Sequence, residues 1–180
     1  MFFIESERLR MIPLTHELLQ LLHIGRAAME QALGLTPSHW QVDEFYQKEI
    51  DDAMVNFWLP KTLANPNAFK WYTDWEIVLK STNTAIGGMG FNGEPNEHSE
   101  AEVGYMIEKG HQNKGFATEA LQLLINWAFT DNRVKSVIVH TYQDNLPSTR
   151  ILVKCGFEEV KKDEEGLMTF QLIHPKSIIV

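Results

Sequence analysis

Gln112-Asn113-Lys114-Gly115-Phe116-Ala117 joins a strand-like run, Ala101–Ile107, to an amphipathic segment over Phe116–Phe129. In that segment Ala117, Ala120, Leu121, Leu124, Trp127 and Ala128 share one helical stripe. A helix start exposes backbone N–H groups without partners and carries positive partial charge. A loop that wraps just ahead of it can aim several N–H groups at a phosphate. Gly115 and Ala117 leave space for such a group, and Lys114, Lys109 and His111 add local positive charge. Taken alone, the hexapeptide is better explained as an ordinary strand-to-helix connection with glycine for the turn.

Outward from this loop the chain divides into short elements. Phe3–Pro13 reads as one strand, stopped by Pro13. Thr15 caps a helix carrying Leu18, Leu19, Leu21 and Leu22, with Gly25 as its stop. A second helix follows Asp43, with Tyr46, Ile50, Met54 and Phe57 on one face. Pro60 and Pro66 reduce the next stretch to short helix or loop. Trp75–Lys80 alternates as a strand, Ser81–Asn83 turns, and Thr84–Phe91 completes a hairpin. Gly93–Ser99 is a polar loop. Beyond the central helix come a strand over Val134–Tyr142, a helix over Asn145–Cys155, and strands over Phe157–Val160 and Leu167–Ile173. Strands alternate with helices only late in the chain. That order predicts an α/β (α+β) fold, a mixed and mainly antiparallel sheet flanked by helices, in one domain spanning 1–180.

The 180 residues carry a formal net charge of −8, with 44% hydrophobic and 22% charged residues, the proportions of an ordinary globule. The acidic balance argues against a nucleic-acid binder. It is compatible with a cationic amine substrate, although solubility explains it better. No apolar run is long enough to span a bilayer. Met1-Phe2-Phe3-Ile4 meets Glu5 and Glu7 at once and lacks the basic start and apolar stretch of a signal peptide. A lone cysteine, Cys155, excludes an internal disulfide. These features predict a cytoplasmic protein with neither a membrane nor a nucleic-acid partner.

Four tempting signals lead elsewhere. Gly88-Met89-Gly90-Phe91-Asn92-Gly93 fits G-x-G-x-x-G, but Glu94-Pro95-Asn96-Glu97 follows where a dinucleotide site needs a helix. Those glycines are expected to serve strand packing or a bulge. Seven histidines never form H-x-x-x-H, and one cysteine cannot build a common zinc site, so no metal is expected. Cys155 sits at a helix C-terminus, the unfavourable end of the dipole for a thiolate, and reads as a small packed hydrophobe. Trp40, Trp58, Trp71 and Trp75 could line an acceptor pocket, but for each the core is the better reading.

Ala101-Glu102-Val103-Gly104-Tyr105-Met106-Ile107, the loop at Gln112–Ala117, Asn145-Leu146-Pro147-Ser148 and Val153-Lys154-Cys155-Gly156-Phe157 follow one another in an order and spacing that resemble the GNAT N-acetyltransferase superfamily. The loop matches its Gln/Arg-x-x-Gly-x-Gly/Ala signature for the coenzyme A pyrophosphate. Glu5-Ser6-Glu7-Arg8-Leu9-Arg10-Met11-Ile12-Pro13-Leu14 is similar to the opening of the ribosomal-protein-alanine acetyltransferase branch. The resemblance implies a sheet splayed beside the strand ending near Ile107, with acetyl-CoA in the gap. It assigns cofactor contact to Met106, Ile107 and Glu108, and the pyrophosphate to Gln112, Asn113, Lys114, Gly115, Phe116, Ala117 and Thr118. Asn145 touches the cofactor arm in this scheme, and it is equally a natural helix N-cap.

The amine acceptor must lose a proton before it attacks, since a lysine ammonium has a pKa of about 10.4 and an α-amine about 7.7–8.0. Glu102, two residues before Gly104, is the candidate base. A solvent-facing glutamate on an alternating strand is the competing reading. Many family members carry a tyrosine in the Asn145 segment as proton donor. Ser148 is the hydroxyl available there, with Tyr142 and Tyr105 as alternatives. The implied activity is acetyl transfer to a protein N-terminal α-amine or a small-molecule amine by direct attack in a ternary complex. A non-catalytic acyl-CoA-binding module is the rival. A dinucleotide oxidoreductase ranks below both, and the oligomeric state is left open, a homodimer included.

Overall fold

β-branched and aromatic residues concentrate where the strands form, and glycines and asparagines mark where they turn. In the computed structural model, which describes residues 1–175, the strands are β1 (Ile4–Glu5), β2 (Leu9–Pro13), β3 (Asp74–Leu79), β4 (Thr84–Phe91), β5 (Glu100–Ile107), β6 (Ser136–Tyr142), β7 (Glu158–Lys162) and β8 (Leu167–Ile173). The single-domain span 1–180 includes residues 176–180, which lie outside the described residues. The strands form one sheet in the order β1-β2-β3-β4-β5-β6-β8-β7. Every neighbouring pair is antiparallel except β5–β6. This is the mixed, mainly antiparallel sheet that the element order predicts.

The helices are α1 (His16–Ile24), α2 (Arg26–Leu33), α3 (Glu44–Ala53), α4 (Leu59–Ala64), α5 (Phe116–Ala128) and α6 (Leu146–Lys154). α5 and α6 cover one face of the sheet. There Leu121 and Leu124 of α5 and Leu152 of α6 pack with Trp75, Ile77, Met89, Phe91, Val103, Val137 and Phe170. Truncating a fully buried leucine of this kind to alanine costs about 2–5 kcal/mol. The other face carries smaller clusters, Leu14, Leu18, Leu19, Met29 and Met54 in one and Ile12, Leu35, Val78 and Ala85 in another. Trp71 and Trp75 are core residues, as their chemistry predicts.

Three expectations change. Phe3–Pro13 is not one strand. The chain turns at Ser6, whose Oγ accepts from the Leu9 amide at 3.1 Å, and β1 doubles back on β2. α2 is a helix that the hydrophobic pattern does not announce, because only Met29 and Glu30 of its residues are buried. The face drawn through Tyr46, Ile50, Met54 and Phe57 is only partly internal: Met54 is buried and Tyr46 is exposed. A π-helical turn over Met54–Trp58 carries α3 into α4 and shifts the helical register.

Candidate active site

The seam between β5 and β6 is where the sheet opens. The two strands pair only at Glu100↔Ser136, Ala101↔Val137 and Glu102↔Ile138. Past Glu102, β5 stays on β4 through Ile107, while β6 stays on β8 through Tyr142. The strands therefore part at Glu102, and the gap widens toward their C-terminal ends. Backbone direction decides which groups line it. The Glu102 carbonyl accepts from the Asn92 amide, and the Glu108 amide donates to the Ile86 carbonyl. Even-numbered residues of β5 thus turn their polar backbone groups to β4, and Tyr105 and Ile107 turn theirs to the gap. Of the three residues assigned here to cofactor contact, Ile107 faces the gap, whereas the backbones of Met106 and Glu108 face β4.

Glu108 is further committed to the turn that follows. Its buried carboxylate accepts from the Gly110 amide at 3.0 Å and contacts His111 Nδ1. Burial alone would raise its pKa; the Gly110 and His111 contacts outweigh burial and hold it below the usual carboxylate value. Gln112 Nε2 donates to the Ile107 carbonyl at 2.8 Å, and Lys114 Nζ to the Gly110 carbonyl at 2.7 Å. These side chains tie the loop to the strand end. Asn113 and Gly115 both have positive φ, 61° and 80°. Gly115 is the N-cap of α5 and no side chain caps it, so the first-turn amides of Phe116, Ala117 and Thr118 have no intrahelical partner. A Cβ on Gly115 would meet only Arg8 Nη2, at 3.5 Å. The loop has the shape and the donors that a phosphate requires.

α6 starts at the other side of the same mouth. Asn145 Oδ1 accepts from the Ser148 amide at 3.2 Å, which makes Asn145 the N-cap. Ser148 is buried, and its Oγ lies 2.9 Å from the Tyr105 hydroxyl. Burial pushes the Tyr105 pKa up to about 12, so it stays a neutral phenol. Of the hydroxyls weighed as proton donors, Ser148 and Tyr105 are brought together. Tyr142, at the end of β6, is 54% exposed and takes no part in that contact. Cys155 packs against the core, its thiol 3.7 Å from the Thr118 carbonyl and raised to about 11 by burial.

Glu102 sits at the apex of the gap. It is partly exposed, and its Oε1 accepts from Asn92 Nδ2 at 2.6 Å. Beside it on the same face, a Cβ on Gly104 would meet nothing within 4 Å. Five residues at about 3.4 Å each separate Glu102 from Ile107, about 17 Å along the strand.

Sequence reasoning did not single out three charged residues on that face. Glu76 is fully buried and pairs through Oε1 with Arg26 Nη1 at 2.6 Å, while its Oε2 has no hydrogen-bond partner. The Arg26 guanidinium lies 3.3 Å from the centroid of the Trp40 ring. Asp74, also buried, lays its carboxylate over Gly88, where a Cβ would come within 2.5 Å of Oδ1. Burial first, and then the Glu76 charge, drive the Asp74 carboxyl well above its ordinary value. Gly88 and Gly90 are thus strand glycines that admit a neighbour, as expected, and Gly93 is followed by turn residues rather than a helix. The signal for the acidic pair was the polar alternation Asp74–Glu76. It looks like a solvated strand edge until α2 is seen to cover it.

A family model described as an acetyltransferase (GNAT) domain matches residues 8–158. The chain belongs to the GNAT acetyltransferase family and is an N-acetyltransferase, which sets aside the binding-only module and the oxidoreductase. The Bacillus subtilis N-acetyltransferase YjdG is 32% identical over 158 residues, 87% of this chain and 90% of that one. The fold is that of RimL, a ribosomal L7/L12 α-N-protein acetyltransferase solved with coenzyme A, at a TM-score of 0.64 and 16% identity over 96% of this chain and 98% of that one. Spermidine N-acetyltransferase from Vibrio cholerae aligns at a TM-score of 0.63 and 17% identity over 97% and 98% of the two chains. Among the described residues no helix is long and apolar enough to cross a membrane.

Proposed function

We propose that the protein transfers the acetyl group of acetyl-CoA to a primary amine, a protein N-terminal α-amine or a small-molecule amine, by direct attack in a ternary complex. The observation that carries this reading is a coincidence at one gap: β5 and β6 part at Glu102, and α5 and α6 both start at its mouth. Relatives named for a protein α-amine and for spermidine keep both acceptor classes in the proposal.

In this reading the backbone amides from Asn113 to Thr118 hold the pyrophosphate, with Asn113 and Gly115 giving the loop its curvature, and Gln112, whose amide donates to the Lys109 carbonyl, anchors the start of the loop. The Tyr105 and Ile107 backbones face the pantetheine arm, Met106 backs them from β4's side, and Glu108 holds the turn that presents the loop. Asn145 approaches the arm from the start of α6. Bound acetyl-CoA supplies an activated thioester. Glu102 accepts the proton of the acceptor amine as its nitrogen bonds the acetyl carbon, and Ser148 Oγ, backed by Tyr105, delivers a proton on the opposite wall to the coenzyme A thiolate released when the C–S bond breaks. We further propose that residues 1–180 work as a single cytoplasmic domain, in keeping with one unpaired cysteine.

Calorimetry with acetyl-CoA and with NADH tests the cofactor, and thiol release with an α-amine peptide and with spermidine tests the acceptor. Heat from acetyl-CoA alone is expected, with release in at least one acceptor arm. Binding of NADH without acetyl-CoA would overturn the reading.

A further inference from the structure

The opening segment, Glu5 to Leu14, has no role in the mechanism above, yet its turn reaches the phosphate loop. Four donors from Ser6 and Arg8 converge on one carboxylate, Glu119 in the first turn of α5. Ser6 Oγ donates to Oε1 at 2.5 Å and the Arg8 amide to Oε1 at 3.2 Å. Arg8 Nε donates to Oε2 at 2.7 Å, and Arg8 Nη2 lies 2.5 Å from Oε2. The remaining arm of the guanidinium does something different: Arg8 Nη1 donates to the Lys114 carbonyl at 3.1 Å. The guanidinium carbon stands 4.6 Å from the centroid of the Phe116 ring, which fixes its plane. Burial would raise the Glu119 carboxyl, but the Ser6 and Arg8 hydrogen bonds outweigh it and keep the group ionised.

In a trans peptide the C=O and N–H lie in one plane and point in opposite directions. When Arg8 draws the Lys114 carbonyl toward the N-terminal turn, the Gly115 amide is turned the other way. Gly115, at φ 80°, has no Cβ to restrict its backbone, so contacts rather than sterics must set the orientation of the Lys114–Gly115 peptide. We propose that Arg8 is a positioning residue for the cofactor: from the β1–β2 turn it sets the Lys114–Gly115 peptide, so that the loop amides converge on the pyrophosphate. Glu119 holds the guanidinium in place, and Arg8 in turn neutralises a carboxylate that would otherwise oppose an anion at this helix end. The inference rests on the reading of the loop as the pyrophosphate site.

Arg8→Lys tests it. Lysine keeps one ion-pair contact with Glu119 but lacks the planar fork that reaches two acceptors at once. Loss of one such hydrogen bond is expected to weaken coenzyme A binding about tenfold by calorimetry. The KM for acetyl-CoA should rise to match, with kcat at saturating cofactor and the acceptor KM unchanged. Ser6→Ala is the control. It removes a donor to Glu119 from the same turn and leaves the Lys114 carbonyl bonded, so it should lower Tm without changing coenzyme A affinity. Wild-type affinity in folded Arg8→Lys would overturn the proposal. So would equal weakening by Ser6→Ala, which would make the turn a structural support only. Failure of the wild-type protein to bind coenzyme A would instead overturn the reading of the loop.

Discussion

Glu102 is the residue on which the proposed chemistry depends most. Glu102→Gln keeps the size and the hydrogen bond from Asn92 but removes the proton acceptor. Acetyl transfer should fall by about 10²–10⁴-fold, the usual contribution of a positioned base. Acetyl-CoA affinity should stay near wild type, because Glu102 lies at the apex and the phosphate loop at the mouth. The defect should shrink as pH rises, since more of the acceptor is then already neutral. A pH–rate profile of both proteins with one acceptor decides the matter, and a uniform loss at every pH would assign Glu102 to substrate binding. Ser148→Ala should lower turnover modestly and leave cofactor affinity alone. A buried serine bonded to a tyrosine also stabilises the fold, so the Tm should be read beside the rate. Equal turnover in mutant and wild type would remove Ser148 from the mechanism.

At the scale of elements, β3 and α2 hold a device that opposes stability. Asp74, Glu76 and Arg26 put two carboxyls against one guanidinium in a dry layer. The unfolded Asp74 carboxyl titrates near its ordinary value of about 3.9, and the folded one is raised well above it. The stability linked to this group is therefore fully present below the unfolded value and is lost as pH rises through the folded one. The Asp74 carboxyl accepts from the Met89 backbone amide; Asp74→Asn keeps an oxygen for that bond and removes the charge. It should raise Tm at neutral pH, by roughly 2–4 °C per kcal/mol recovered in a chain of this size, and should flatten the pH dependence of Tm. A lower Tm in Asp74→Asn would show that the ionised carboxylate supports the fold. The same elements show what the sequence discloses. β4 and β8 were legible to the residue, and α5 nearly so, because alternation and a wide apolar stripe leave no competing reading. α2 was illegible: its inward face presents Arg26 and Glu30 as well as Met29, and a polar inward face carries no hydrophobic period. At the site, the loop and Asn145 were readable from motif and capping chemistry. The parity of β5, which turns Tyr105 rather than Met106 to the gap, requires the pairing partner. The Arg8–Glu119 contact joins residues 111 positions apart and has no local signature.

In the whole molecule, the one sheet has two parts held along a short seam. β1 to β5 form one part and β6 to β8 the other; three residue pairs between strands and the Gln171–Glu100 hydrogen bond join them at the apex, and the Tyr105–Ser148 hydrogen bond spans the opening. The apex and the mouth of this seam differ in backbone protection. The amides of Glu102 and Gly104 lie within β5's ladder with β4, whereas those of Tyr105 and Ile107 point across the widening gap. Hydrogen–deuterium exchange should therefore be unequal along a single strand, with Tyr105 and Ile107 rapid and Gly104 and Met106 slow in the protein alone. Coenzyme A should slow the first pair and leave the second unchanged, so that alternate amides of β5 record cofactor occupancy. Protection spread evenly along β5 on binding would mean that the seam closes as a unit. For a strand in mid-sheet, an every-second-residue exchange pattern turns a gap between two ladders into a reporter of ligand that needs neither label nor acceptor.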